Sequence, residues 1–512
     1  MTKKASRLFI IMSTFLVCTQ QTPKEDKSAE SAWPHGVTYE IFVQSFYDTN
    51  GDGIGDLNGV TEKLDYLVDL GIEAIWLMPI NPSPSYHKYD VTDYYDIHPD
   101  YGTMEDFKKL VDEAHSRNIS VLIDLVINHC SSEHPWFKKA VANPTGKYRD
   151  FFSWATDAEI EKLGNATKEV TEDSDNINQW NAVPGQEEKF FAYFWGGMPD
   201  LNYDNQNVRE EIFKIGKFWL RETNVDGFRL DAAKHIYPDN RPTDNHAFWI
   251  QFRKEMESVK SDVHLVGEVW DKAEVVAPYL AGLRSNFNFD LGDAIVKAVS
   301  KSDATGLVEN YREINDFYKA ITEDFVDATF IRNHDQNRIM SILENHENKA
   351  KLAASILFTL PGSPYVYYGE EIGMRGMKPD EFIREPFLWS SDGKGQATWM
   401  TPKYNVADSI DPLTKQQDDP NSIYNHYKNL INLRSRHEVL SQGAIEPITN
   451  GTSSLCSFNR HLNGTSLEIH HNLSDESVTT KSGRENILYQ SGEVMLEGDK
   501  IILNGFASVI LN

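Results

Sequence analysis

Apolar and polar positions change period several times along the chain, and the changes mark out its elements. Residues 38–43 (Thr-Tyr-Glu-Ile-Phe-Val) form an apolar run of strand length, 57–70 carries helical periodicity, and 72–78 is a second apolar strand ending at Pro79. A helix is expected over 104–117, a strand over 120–127, a helix over 208–222 and a strand over 225–231. The same alternation continues with a helix over 244–259 and strands at 263–266, 286–289, 328–332 and 364–368, before a closing helix over 422–437. About eight strands separated mostly by helices predict a parallel sheet closed into a (β/α)8 TIM barrel.

Two stretches break the rhythm. From 130 to 203 the sequence is polar and aromatic without a clear period, holding Trp136, Trp154, Trp180 and Trp195, and is expected to be an inserted subdomain walling a cleft. Beyond 438 short alternating runs at 453–459, 466–472 and 500–511 suggest a C-terminal antiparallel β-sandwich. The expected division is therefore a leader over 1–18, a polar linker over 19–32, a barrel over 33–129 and 204–438, an insertion over 130–203 and a sandwich over 439–512.

A formal net charge of −27 argues against nucleic acid or anionic lipid as a partner. A neutral substrate fits better, and 12% aromatic residues supply candidate platforms for sugar rings beside their ordinary packing roles. Lys3, Lys4 and Arg7 precede an apolar run over 8–17 that ends at Cys18, the pattern of an export signal too short to span a bilayer. Cys18 resembles the acylated cysteine of a bacterial lipoprotein, although Val17 stands where that pattern has a small residue. The expected location is outside the bacterial cytoplasm, as a lipid-anchored or secreted monomer. Cys130 and Cys456 alone remain, so no disulfide framework is expected.

Chemistry concentrates at strand ends. Period two places Arg229 and Asp231 on one face of the 225–231 strand, with Phe228 and Leu230 on the other. A charged pair there is either a structural ion pair or part of a site. Glu268 and Asp335 end two other strands, with Trp270, His334 and His129 beside them. Three acids gathered at one barrel mouth would repel, so one of them should stay protonated near neutrality, as acid-assisted cleavage requires. After the first strand, Asp48, Asn50, Asp52, Ile54 and Asp56 occupy alternate positions between glycines, a spacing suited to Ca²⁺ or to Asx-turns without metal.

The stretches 124–129 (Asp-Leu-Val-Ile-Asn-His), 198–202 (Met-Pro-Asp-Leu-Asn), 227–235 (Gly-Phe-Arg-Leu-Asp-Ala-Ala-Lys-His), 267–270 (Gly-Glu-Val-Trp), 330–335 and 362–371 occur in the order of the α-amylase family of glycoside hydrolases, which the chain resembles from residue 33 to its end. The 198–202 stretch resembles a branch between oligo-1,6-glucosidases and neopullulanases. The resemblance implies Asp231 as nucleophile, Glu268 as general acid/base and Asp335 as transition-state stabiliser. It further implies that Arg229 orients Asp231, that His87, Tyr89, His129, Trp270 and His334 contact the sugar, that Lys234 and His235 line the leaving-group side, and that the 48–56 loop holds structural calcium. Endo-hydrolysis of α-1,4 bonds in starch, glycogen or maltooligosaccharides is the activity so implied. The alternatives are an α-glucosidase, neopullulanase or transglycosylating enzyme of the family, and, more remotely, a glucan-binding protein without catalysis.

Overall fold

The computed structural model describes residues 33–171, 174–406 and 409–512; the leader with Cys18 and the polar linker lie outside the described residues. Eight strands form one parallel sheet: β1 (Thr38–Ile41), β2 (Ala74–Leu77), β3 (Ser120–Leu125), β4 (Gly227–Leu230), β5 (His264–Gly267), β6 (Ser285–Asn286), β7 (Ala328–Phe330) and β8 (Ser363–Tyr367). Their spatial order runs β7-β8-β1-β2-β3-β4-β5-β6. A single parallel bridge between Phe287 and Ala328 joins the two ends, so the sheet is a barrel with one thin seam.

Side chains alternate as a barrel demands. Trp76, Leu122, Val266, Phe287, Phe330 and Tyr365 fill the interior in one cluster, whereas Ile75, Val121, Phe228 and Leu265 pack outward in the larger core that includes the surrounding helices. Polar interior residues come from the same alternation: Asp124 and Arg229 are register partners on β3 and β4, and Glu40 faces inward from β1 beside Trp76.

The strands end earlier than the apolar runs suggest. The 225–231 run stops at Leu230 because Ala232 takes a left-handed conformation at φ 45°, ψ 40° and turns the chain out of the sheet. The expected 57–70 helix is two helices, Leu57–Glu62 and Leu64–Leu70, joined at Lys63, whose φ and ψ of −98° and 3° leave the helical region. Gly59 explains the offset: a Cβ there would lie 2.0 Å from the Tyr47 carbonyl, so the first helix is pressed onto the loop after β1. The 286–289 run is also corrected. Asn288 caps a helix, Phe289–Lys301, by accepting from the Leu291 amide at 3.0 Å, and only Ser285–Asn286 remains strand.

After β3 the inserted stretch builds a small antiparallel sheet from Trp154–Ala155, Lys189–Phe191 and Trp180–Ala182. Beyond the barrel a five-stranded and a three-stranded antiparallel sheet pack around Leu455, Ile501, Leu503, Val509 and Leu511. Cys130 and Cys456 are buried free thiols.

Candidate active site

A cavity of about 310 Å³ opens where the strands' carboxyl ends meet the inserted stretch, and His87, Tyr89, His129, Asp231, Glu268, Trp270 and Asp335 line it. Arg229 and His334 lie directly beneath, 1% and 0% exposed. The Arg229 guanidinium ties the floor together. Its Nη1 donates to Asp231 Oδ1 at 2.6 Å and to Asp124 Oδ1 at 2.9 Å, and its Nη2 is 2.8 Å from Glu268 Oε2. One planar guanidinium thus holds three carboxylates gathered from three strands.

The turn after β4 adds a further constraint. The left-handed Ala232, a costly conformation for a residue with a Cβ, aims its amide at Glu268 Oε2, 3.0 Å away. Burial pushes Glu268 up to about 7 against the pull of Arg229, with Asp231 and Asp335 adding to the rise. The surroundings of Glu268 thus favour its holding a proton close to neutrality.

Asp335 has the opposite setting. Burial would raise it, but His334, with Nε2 3.0 Å from Oδ2, and Arg384, donating to Oδ1 at 2.8 Å, hold it well below the ordinary carboxylate range. His334 itself resists burial because Asp335 and Glu40 flank it, and it is raised to about 10. Tyr89 stacks on the His334 ring at 5.5 Å and 11°, and its hydroxyl donates to Asp124 Oδ2 at 3.0 Å. His129 is lowered by burial and sits with Nε2 3.2 Å from the Tyr89 carbonyl. His87 is lowered to about 4, mainly by burial, and accepts the Tyr89 amide at Nδ1. Trp270 stacks flat on Phe289, ring centroids 4.2 Å apart.

Two residues expected at the site stand apart from this cavity. Lys234 donates to the Trp270 carbonyl and to Asp271, each at 3.2 Å. His235 stacks on Tyr193 at 3.9 Å and faces a neighbouring cleft of about 650 Å³ between the insertion and the β4 loop. The His235 ring lies 6.0 Å from Phe194, which belongs to the active-site wall, so that wall separates the two spaces.

Sequence reasoning missed Arg384, Glu40 and Phe194, and placed Trp195 in the cleft-walling insertion without a role at the site. Arg384 lies in a loop after β8 with no strand to announce it. Trp195 is 53% exposed at the cavity and lies over Gly197, where a Cβ would fall 2.2 Å from the indole.

In the loop after β1, Asp48 accepts the Asn50, Gly51 and Gly53 amides, Asn50 that of Asp52, and Asp52 that of Ile54. Asp56 accepts the Thr49 amide and caps the next helix at Gly59. These are the Asx-turns that the spacing also allowed. Each carboxylate oxygen can accept twice, so the oxygen set still fits a hard cation in donor chemistry. Among the described residues, no group of three or more His, Cys, Asp or Glu is arranged to hold a metal.

The model of the α-amylase catalytic domain matches residues 40–443. The chain is 46% identical over 488 residues to alpha-amylase 3 of Dictyoglomus thermophilum, covering 94% of each protein. It is 34% identical to a 4-alpha-glucanotransferase of Thermotoga neapolitana, covering 88% of this chain and 98% of the relative. The crystal structure of an alpha-amylase from H. orenii superposes with a TM-score of 0.85 at 44% identity, covering 93% of this chain and 99% of that one. The chain is a member of the α-amylase family, a glycoside hydrolase that works with retention on a (β/α)8 barrel.

Proposed function

We propose that this enzyme cleaves internal α-1,4-glucosidic bonds in starch, glycogen and maltooligosaccharides. Asp231 is the nucleophile, Glu268 the general acid and then base, and Asp335 the group that steadies the oxocarbenium-like transition state. The observation that supports these roles best is the shared guanidinium: Arg229 reaches Asp231 and Glu268 together. Sharing one guanidinium gathers both carboxyl groups at the same cavity floor, where both can act on one anomeric centre as double displacement requires. Glu268, raised to about 7, can protonate the leaving oxygen. Esterification of Asp231 then removes a neighbouring negative charge, lowering Glu268 so that it can take a proton from water.

His87, Tyr89, His129 and Trp270, which line the cavity, are assigned to the sugar at the point of cleavage. Product analysis on maltoheptaose and amylopectin tests the mode of action. Mixed short maltooligosaccharides appearing early are expected, and release of glucose alone from chain ends would overturn endo cleavage. Asp231→Asn is expected to lower turnover at least about 10⁴-fold while oligosaccharide binding remains measurable. Undiminished hydrolysis by that variant would overturn the nucleophile assignment.

A second reading, transfer of the glycosyl group to another sugar, is favoured by Trp195, whose exposed indole beside the cavity offers an acceptor sugar a stacking face. Products longer than the starting maltooligosaccharide would reveal it. The 48–56 loop is proposed to hold structural Ca²⁺ through Asp48, Asn50, Asp52, the Ile54 carbonyl and Asp56. Export with acylation at Cys18 belongs to the same proposal, and labelling of cells with a radioactive fatty acid tests it.

A further inference from the structure

Beneath the cavity a histidine stands between two carboxylates, one its chain neighbour and the other far away in the sequence. Glu40, 1% exposed on β1, meets His334 Nδ1 through a short hydrogen bond. The other ring nitrogen, Nε2, is 3.0 Å from Asp335 Oδ2 and 2.7 Å from the Tyr89 hydroxyl. Because the Tyr89 hydroxyl donates its hydrogen to Asp124, its oxygen is left to accept from Nε2–H. Every contact of the ring therefore asks for a donor at both nitrogens, and only the imidazolium has two.

We propose that Glu40 is a positioning residue for hydrolysis: by fixing a proton on His334 Nδ1 it holds the ring as an imidazolium whose Nε2–H is aimed at Asp335, keeping that acid ionised and oriented. The inference rests on the reading of Asp335 as the third acid of the reaction. A carboxylate does this where an amide would not, because it accepts only and adds a negative charge. No other side chain is hydrogen-bonded to His334 Nδ1 among the described residues, and Trp76 closes the ring edge-on at 5.5 Å.

The surrounding charges determine how the device responds to pH. Asp335 and Glu40 face His334 directly, with Asp124 across Tyr89. Arg229 from β4 and Arg384 from the loop after β8 both act on Asp335, and Arg384 also donates from Nε to the His334 carbonyl at 3.0 Å. Tyr367 of β8 faces Glu40. With both carboxylates in place His334 is raised to about 10 and stays charged across the working range of a site whose acid, Glu268, titrates at about 7. Without the Glu40 charge it would fall towards that range. Asp335 would then lose its charged partner at mildly alkaline pH, just where Glu268 loses its proton.

The test compares Glu40→Gln, Asp335→Asn and the wild type on a maltooligosaccharide. Glu40→Gln is expected to lower kcat roughly 100-fold with KM within about twofold, and its alkaline limb should fall with a slope of two protons where the wild type falls with one. A folded Glu40→Gln enzyme with wild-type kcat, or with only one ionisation on that limb, overturns the inference. Should Asp335→Asn keep full activity, the reading of Asp335 fails instead. A measurement on the wild type needs no variant to fold: with ¹⁵N-labelled histidine, both His334 ring nitrogens should report protonation from pH 6 to 9. A neutral His334 at pH 7 would overturn the inference outright.

Discussion

Two sets of buried arginines in this molecule have opposite surroundings. Under the active site Arg229 is surrounded by Asp124, Asp231 and Glu268, and these carboxylates with Tyr89 raise it well above its ordinary value despite burial. At the junction of barrel and C-terminal sheets, the hydrogen bonds of Arg434 and Arg460 go, among the described residues, to main-chain carbonyls. Arg434 donates to Phe358, Leu360, Leu440 and Gly362, and Arg460 to Thr359, Leu440 and Gly443. Burial lowers Arg434 to about 10, and burial with Arg434 beside it lowers Arg460 further. The first site keeps groups that must change charge at a shared distance from one another. The second uses the fork of donors to satisfy carbonyls at the ends of segments that would otherwise be left unpaired.

Arg229→Met breaks the comparison most severely. Three buried carboxylates lose their common cation, so a loss of about 3–5 kcal/mol in stability is expected together with roughly 10³-fold lower kcat, read by denaturant unfolding and steady-state kinetics. The same variant carries a pH signature. Arg229 lowers Glu268, so its removal should move Glu268 further above about 7 and shift the alkaline limb of the residual activity to higher pH. A shift to lower pH would mean that Glu268 is not the acid.

Arg460→Met should cost about 2 kcal/mol, because the carbonyls it serves lose their donor, while kcat and the pH profile stay as in the wild type. Loss of activity without loss of stability would erase the distinction between the two arginine sites. The smallest effect is expected at the 48–56 loop, where the Asx-turns already hold the backbone. Chelation with EGTA should lower the melting temperature by a few degrees and leave kcat at saturating substrate unchanged.

The contrast also explains what was legible beforehand. Asp231, Glu268 and Asp335 could be read because each terminates an apolar run, and barrel strands display such residues at one mouth. Glu40 sits inside such a run, and nothing in the alternation of β1 distinguishes a residue that meets His334, 294 positions away, from one that faces a helix. Arg384 follows no strand. Lys234 and His235 are adjacent to the right motif, yet the turn at Ala232 carries His235 towards Tyr193 and the neighbouring cleft. The Phe289 error has a local cause: the alternation Asn-Phe-Asn-Phe over 286–289 has the period of a strand, and only the Asn288 side chain, capping Phe289–Lys301, reveals a helix start.

The seam between Phe287 and Ala328 bears on heat and time as well as shape. With one bridge in place of a ladder, the barrel is zipped there by two backbone hydrogen bonds, from the Asn288 amide to the Ala328 carbonyl and from the Val326 amide to the Arg284 carbonyl, and by Phe287 against Trp76, Phe330 and Tyr365. Amide hydrogens beside it, such as that of Asn288, should exchange with deuterium sooner than those of β2 and β3. Warming should therefore unfasten the enzyme first along the edge of β7, and His334 and Asp335, which follow that strand, would lose their alignment before the rest of the molecule melts.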